Sequence, residues 1–191
     1  MPLTPDQFRK KGHGRTAPWV DLVNSEEWDT WGKATDWLED PSWLPFFLQQ
    51  WGFAGADREA FPKAKFTHLR QTLRKSCQAV FTGCAVPDKE LRDLNARLNV
   101  AGKRQLIQRQ SGLQVQFVPR SEGWDWILSQ IVLSFANQLS GSDKPRIKIC
   151  QNKNCRWVFY DATKARTRRW CSDKVCGNRE RVRRARARMA R

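Results

Sequence analysis

The sequence predicts a mainly α protein with two parts. A multihelical N-terminal domain with a short β-hairpin precedes a small C-terminal, treble-clef-like zinc module made of a β-hairpin and a helix. Three observations support this prediction. Apolar residues recur at helical spacing over two long stretches, apolar and polar residues alternate over one stretch, and four cysteines fall in pairs near the C-terminal end. We expect the parts to span residues 10–142 and 145–191, separated by the turn-rich linker Ser140–Pro145.

The first ordered stretch is Trp19–Ser25, and a tryptophan-rich segment follows it. Ser42 is a candidate N-cap for a helix that ends at Gly52. We expect most of the rings in the core, since each can bury roughly 150–250 Å²; an aromatic cage for a small ligand is the alternative. The tryptophans are Trp28, Trp31, Trp37, Trp43 and Trp51.

Two short polar residues, Asp21 and Asn24, lie among apolar neighbours in that first stretch. Such residues commonly cap a helix or satisfy a buried backbone group. The alternative is that they line a pocket for a small-molecule effector.

Three helices are predicted from apolar spacing. The first covers residues 63–82 and ends at Gly83, and the second begins at Asp88. The third, Trp124–Leu139, is the most apolar. The expected inward positions of the first two are Phe66, Leu69, Leu73, Cys77, Val80 and Phe81, then Leu91, Leu94 and Leu98.

One stretch alternates between apolar and polar residues. Leu113, Val115 and Phe117 fall on one side of a strand bounded by Gly112 and Pro119. This pattern predicts a half-buried strand, with Ile107 on its partner.

Four cysteines indicate a metal site. Cys150 and Cys155 form one pair, and Cys171 and Cys176 form another with the same internal spacing. Four thiolates satisfy a structural, tetrahedral Zn²⁺, and a segment with so few apolar residues needs such a staple. Two disulfides are the alternative, but they require an oxidising compartment.

The residues between and after the cysteines predict the rest of the module. Arg156–Tyr160 and Thr167–Trp170 are rich in strand formers and are expected to pair as a hairpin. Cysteines five residues apart lie about 140° apart on a helix, so a turn must separate them. The last helix should therefore begin near Gly177 or Asn178.

That helix combines arginines with a narrow apolar stripe. Val182, Ala185 and Met189 are expected to pack against the hairpin at Trp157, Phe159 or Trp170. Glu180 is placed to pair with Arg183 or Arg184.

Charge is concentrated in the C-terminal part. Residues 145–191 hold 16 Lys and Arg against three acids, whereas residues 1–144 hold 19 against 16. Such asymmetry favours a polyanion partner, and the alternative is a charge that only aids solubility. The candidate nucleic-acid contacts are Arg168, Arg169, Arg179, Arg181, Arg183, Arg184, Arg186 and Arg188.

Several function classes are disfavoured. The two histidines are far apart in sequence, and no phosphate-binding glycine loop or nucleophile motif is present, so we do not expect an enzyme. No stretch approaches 18 apolar residues and no basic leader precedes an apolar run, so we expect a cytoplasmic protein without a membrane partner.

The C-terminal part resembles the CGNR zinc finger through Cys150-x4-Cys155, Phe159-Tyr-Asp161, Arg168-Arg-Trp-Cys171 and Cys176-Gly-Asn-Arg179. That finger usually follows an ABATE domain in bacterial proteins described as stress-induced transcription regulators. Asp21–Ser25, His68–Arg74 and Leu91–Asn99 are similar to the ABATE body. The resemblance implies a zinc-binding module that contacts DNA.

We therefore expect a DNA-binding transcription regulator with one structural Zn²⁺. Its zinc module would bind duplex DNA, and its N-terminal domain would sense an effector or form a homodimer. Two alternatives stay open from the sequence: an RNA-binding accessory protein, and a redox or metal sensor that switches through its four cysteines.

Overall fold

The computed structural model describes residues 17–28, 32–53, 60–99, 102–109, 112–119, 123–141 and 146–189. Over these ranges the chain forms six α-helices and three two-stranded antiparallel sheets, which confirms the mainly α class. Trp31 and residues 10–16 of the predicted N-terminal domain lie outside them. Among the described residues, no helix is both long and apolar enough to span a bilayer.

The N-terminal part begins with helix α1 (Pro18–Asn24), where Pro18 occupies the first turn, a position whose backbone N–H would have no partner within the helix. A short hairpin follows, strands β1 (Glu26–Trp28) and β2 (Ala34–Asp36), with Glu26 opposite Asp36. Helix α2 (Trp43–Trp51) ends at Gly52, whose left-handed backbone suits glycine. Ser42 precedes α2 as predicted, but its hydroxyl donates to Asp40 and does not cap the helix.

Three longer helices complete the N-terminal core: α3 (Lys63–Phe81), α4 (Asp88–Leu98) and α5 (Trp124–Ser140). Their existence and approximate bounds confirm the periodicity. In α4, however, only Leu94 of the three predicted leucines is buried. Leu91 and Leu98 remain partly exposed because α4 presents only a narrow face to its neighbours.

A second hairpin joins α4 to α5 and consists of strands β3 (Gly102–Arg109) and β4 (Gly112–Pro119). Ile107 pairs with Gln114, so the predicted partner strand is confirmed. The predicted half-burial is wrong for two of its residues, since Leu113 is 65% exposed and Val115 is 68% exposed. In a two-stranded ribbon, alternation places residues on one face but does not supply a layer to cover that face.

The C-terminal part contains strands β5 (Ile147–Ile149) and β6 (Val158–Tyr160) and helix α6 (Asn178–Met189). β6 lies in the predicted stretch Arg156–Tyr160, but its partner is β5 and not Thr167–Trp170. The predicted pairing is therefore wrong. The first cysteine pair sits at the tip of the β5–β6 hairpin, and residues 166–169 form an irregular segment beside it.

The buried apolar side chains of both parts form one contiguous cluster. Helix α1 lies between α3 and β6 and contributes Trp19, Leu22 and Val23, all with no exposed surface. Val158 and Phe159 of β6 extend this cluster into the cysteine-containing part. The cysteine-containing part is therefore seated on the helical part.

Candidate metal centre and arginine helix

The first cysteine turn is an extension of the β5–β6 hairpin. Cys150 N–H donates to Trp157 O at 2.8 Å, and Cys155 N–H donates to Asn152 O at 3.0 Å. Arg156 then adopts a left-handed backbone with φ 52° and returns the chain to β6. These bonds place both sulfur atoms on the same side of the hairpin tip.

The second cysteine turn is a single π-helical turn, Asp173–Gly177, directly before α6. Ser172 closes it, because its hydroxyl accepts from Val175 N–H at 3.3 Å and its carbonyl accepts from Gly177 N–H at 3.0 Å. Cys171 and Cys176 flank this turn. The predicted turn between the two cysteines is confirmed, and α6 begins at Asn178 as expected.

The two turns bring all four thiols together. Their sulfur atoms lie within 4.8 Å of one another, and all four residues are buried. Cys171 Sγ is 3.6 Å from Cys155 Sγ and 3.7 Å from Cys176 Sγ. Sulfurs about 2.3 Å from a tetrahedral Zn²⁺ would be about 3.8 Å apart, so the spacing fits one ion.

The same distances argue against the disulfide alternative. All six cysteines are free thiols, and a disulfide needs sulfurs about 2.05 Å apart. Contact with the neighbouring sulfurs, Cys150 first, and then burial raise the pKa of Cys155 and Cys171 above the usual range of a thiol. A divalent cation bound among the sulfurs would instead lower these pKa values, because it stabilises all four thiolates together.

A buried carboxylate supports the loop between the two turns. Asp161 has no exposed surface and accepts from Lys148 Nζ at 2.8 Å, Thr163 Oγ1 at 2.6 Å and Arg168 N–H at 2.9 Å. Burial alone would raise its pKa, but these hydrogen bonds outweigh it and hold the pKa of Asp161 well below its ordinary range. Lys148 also donates to the carbonyls of Arg166 and Arg168. The ion pair therefore fixes the path of the chain from β6 to Cys171.

The two predicted hairpin arginines lie within this framework. Arg168 Nη2 donates to Cys171 O at 2.6 Å, and its guanidinium lies 4.9 Å from the centre of the Phe159 ring. Arg169 Nε donates to Gln151 Oε1 at 2.7 Å, while Gln151 N–H donates to Arg169 O at 2.9 Å. Arg169 thus ties the segment before Cys171 to the first cysteine turn and is also exposed, whereas Arg168 ties that segment to β6.

Helix α6 projects from the second turn with its arginines in solvent. Glu180 is its one buried residue, and every residue from Arg181 to Met189 is exposed. Arg183 donates to Glu180 at 2.9 Å, which confirms one of the two predicted pairs. Arg181 donates to Asp173 at 3.0 Å.

The remaining predicted arginines of α6 are exposed as well. Arg179, Arg186 and Arg188 make neither a hydrogen bond nor an ion pair with any residue that the structure describes, and Arg184 lies in solvent near Glu180. The helix therefore presents cations that its own module does not neutralise.

The predicted packing of the apolar stripe of α6 is wrong. Val182 is 42% exposed and Met189 is 88% exposed, so neither packs on the hairpin. Glu180 is buried against the module instead, where Lys153 of the first cysteine turn is among the cations that lower its pKa. The stripe is on the other side of the helix and faces outward.

Gly177 has a steric role that spacing alone did not reveal. A Cβ built on Gly177 would lie 2.5 Å from Asp173 Oδ1 and 3.4 Å from Trp170 Cε3. A larger residue here would displace the Asp173 carboxylate from its position beside Arg181. The glycine of Cys176-Gly-Asn-Arg179 was the available signal for this close approach.

Asn24 links the helical part to the cysteine-containing part, residues 146–189, which we call the metal module. Its side-chain amide donates to Val158 O at 2.8 Å, and its side-chain carbonyl accepts from Val158 N–H at 2.9 Å. It therefore satisfies a buried backbone group, as one of the two interpretations expected. Asp21 accepts from Trp51 Nε1 at 2.9 Å within the helical part.

Arg74 and Arg156 make further contacts at this junction that were not predicted. Arg74 donates to Arg156 O at 3.3 Å and to Val23 O at 2.6 Å, and the Arg156 guanidinium lies 4.3 Å from the centre of the Trp28 ring. Nearby, Arg70 forms a bidentate pair with Asp36, both bonds 2.6 Å long. The stretches 21–25 and 68–74, which carried the sequence resemblance, thus meet where the metal module is seated.

Comparison with known families agrees with both parts of the chain. Residues 146–189 match the family model "CGNR zinc finger", and residues 16–142 match the model "ABATE", described as "Putative stress-induced transcription regulator". No curated protein is similar enough in sequence to match the chain.

Proposed function

Because the chain belongs to the ABATE family and carries a CGNR zinc finger over residues 146–189, we propose that it is a zinc-containing transcription regulator that binds duplex DNA. Residues 10–142 would form the regulatory domain and residues 145–191 the DNA-binding module. The observation that carries the proposal is α6, an exposed helix with six arginines and one acid that is anchored beside a four-thiol cluster.

Cys150, Cys155, Cys171 and Cys176 would hold the single Zn²⁺, which supplies structure and not chemistry. Four protein ligands leave no position for water, so the ion would serve only to join the two turns. Structural zinc contributes on the order of 10–16 kcal/mol to the folding of small fingers. Zinc would thereby fix the direction in which α6 leaves the module.

Duplex DNA is the partner that suits α6 best. The arginines of α6 repel one another, and among the described residues of the module they form ion pairs only with Asp173 and Glu180. A phosphate backbone supplies the missing charge, and each phosphate neutralised releases condensed counterions. The first contacts would come from the arginines of α6 that are not in ion pairs, together with Arg169 of the cysteine turns: Arg179, Arg184, Arg186 and Arg188. Arg181 and Arg183 are already in ion pairs, and Arg168 is bound to Cys171.

The helical part would regulate the module through their shared surface. Asn24, Arg74 and Trp28 touch the metal module at Val158 and Arg156. A small molecule bound near Asp21 and Asn24, or dimerisation of the helical part, would then change the orientation of α6. The contact between Asn24 and Val158 also explains why the Asp21–Ser25 stretch lies against the metal module.

The test is a salt titration of binding to duplex DNA by fluorescence anisotropy with the full chain. If four to six phosphates are neutralised, log K falls against log salt with a slope of about −4 to −5. The double variant Arg186→Ala/Arg188→Ala should flatten the slope by about two units and retain zinc.

The matched control is Lys89→Ala/Arg92→Ala, which removes the same charge from exposed positions of α4. It should leave the slope unchanged. An affinity that does not depend on salt, equal losses in both double variants, or tighter binding to structured RNA than to duplex DNA would overturn the proposal.

A further inference from the structure

The orientation of α6 on its module decides which face meets a ligand. Glu180, its buried residue, marks the side that faces the module. On an ideal helix Asn178, Val182, Ala185 and Met189 fall within about 60° of one another, and that strip is centred about 170° from Glu180. These four residues, which we call the outer strip, therefore point directly away from the protein.

The outer strip is weakly polar and uncharged, in a helix that is otherwise almost wholly cationic. Asn178 is exposed and its side chain bonds to no residue that the structure describes. Val182 and Met189 are 42% and 88% exposed. Because these apolar side chains do not pack on the module, they are available to contact a partner surface.

Arginines flank the outer strip on both sides. On the same wheel Arg179 and Arg186 lie about 40–60° beyond one edge, and Arg181 and Arg188 lie about 40–60° beyond the other. A central uncharged strip between two rows of cations matches a groove between two phosphate backbones. It does not match a second α6, since two such helices would repel along both edges.

We propose that the outer strip of α6 enters the major groove and selects A·T base pairs; this inference rests on the proposed binding of duplex DNA. The Asn178 amide has the donor and acceptor that pair with adenine N7 and N6, the usual contact of asparagine in the groove. Val182 and Ala185 offer methyl groups to the C5-methyl of thymine. Both chemistries recognise the same base pair, and neither suits G·C.

The dimensions agree with this placement. A helix of 12 residues is about 18 Å long and about 10–12 Å wide, and the B-form major groove is about 12 Å wide. A-form RNA presents a deep and narrow major groove that side chains cannot read. The outer strip therefore favours DNA over duplex RNA.

The experiment begins with selection from a randomised duplex DNA pool by the full, zinc-loaded chain. A·T pairs should be enriched at two or more positions. The selected duplex is then remade with deoxyuridine in place of thymidine, which removes only the C5-methyl, and separately with 7-deazaadenine in place of adenine, which removes only N7. The first change should weaken binding about fourfold for each thymine methyl that α6 touches, and the second roughly 2- to 12-fold for one hydrogen bond.

Variants assign these effects to residues. Val182→Ser should reduce the difference between thymidine and deoxyuridine by about fourfold, the share of one methyl contact, and leave the share of Ala185. Asn178→Ala should abolish the effect of 7-deazaadenine. Leu91→Ser is the matched control, since Leu91 on α4 is 42% exposed like Val182, and it should retain both differences.

The outcomes separate the two claims. Two results would refute A·T selection by the outer strip but not DNA binding. One is selection without A·T enrichment, and the other is equal binding to modified and unmodified duplexes with the salt slope intact. Disappearance of both base effects in Leu91→Ser also overturns the readout. Failure to bind any duplex overturns the readout together with the proposed function.

Discussion

Asp161→Asn should loosen the metal module more than the same change at the exposed Asp173. Each carboxylate oxygen of Asp161 accepts two hydrogen bonds: Oδ1 from the backbone and hydroxyl of Thr163, and Oδ2 from Lys148 Nζ and Arg168 N–H. An asparagine must present its NH₂ group to one of these pairs of donors. It also leaves Lys148, whose side chain is only 16% exposed, without its counter-charge.

Breaking a buried ion pair from one side costs about 3–5 kcal/mol. Because folding of the module and binding of zinc are coupled, this destabilisation should appear as a zinc affinity lower by about 10²- to 10⁴-fold. The measurement is a chelator competition in which a metallochromic dye reports zinc release from the full chain.

Asp173→Asn is the matched control, since it removes a carboxylate of the same module that is 71% exposed and paired with Arg181. An exposed pair contributes little, so zinc affinity should fall by less than about fivefold. If the two variants weaken zinc binding equally, Asp161 is not the support that its hydrogen bonds indicate.

Three further outcomes are expected. Asn24→Ala should lower the free energy of unfolding by about 1–3 kcal/mol and speed amide exchange at Val158, because a buried N–H and C=O lose their partners; unchanged exchange would contradict the link. A chain covering residues 1–142 should still melt cooperatively, but at a lower temperature than the full chain because it exposes the seat of the metal module; absence of a transition would contradict a separate helical domain. Iodoacetamide at pH 8 should label exposed Cys84 and spare Cys77, since burial raises the pKa of Cys77 to about 12; mass spectrometry that finds both labelled at similar rates would refute this.

Residue patterns with local causes were predictable from the sequence. The spacing of Phe66, Leu69 and Leu73 predicted α3 within one residue at its C-terminal end, because a buried helical face imposes its own period. The equal spacing of the two cysteine pairs predicted the four-thiol cluster for a similar reason, since one ion restricts the turns that can surround it.

Long-range pairing was not predictable from the same patterns. Strand propensity identified β6 but could not choose its partner, because β5 and Thr167–Trp170 are both short and similar in composition. The contact between Asn24 and Val158 joins residues 134 apart in sequence, and a single polar residue carries no signal of so distant a partner.

The orientation of α6 was mispredicted for an energetic reason. A stripe of Val182, Ala185 and Met189 suggested burial, but these side chains offer little area, and Glu180 gains the nearby charge of Lys153 by facing the module. Hydrophobic pattern decides orientation only when the buried area outweighs competing charge interactions.

The most direct test of a zinc-held, DNA-binding helix is one titration of duplex DNA performed on the same protein before zinc removal, after it, and after zinc is restored. We predict one Zn²⁺ per chain, loss of salt-dependent binding when the ion is removed, and recovery with Zn²⁺ but not with Mg²⁺. Salt-dependent binding to duplex DNA that persists unchanged in zinc-free protein would contradict the account.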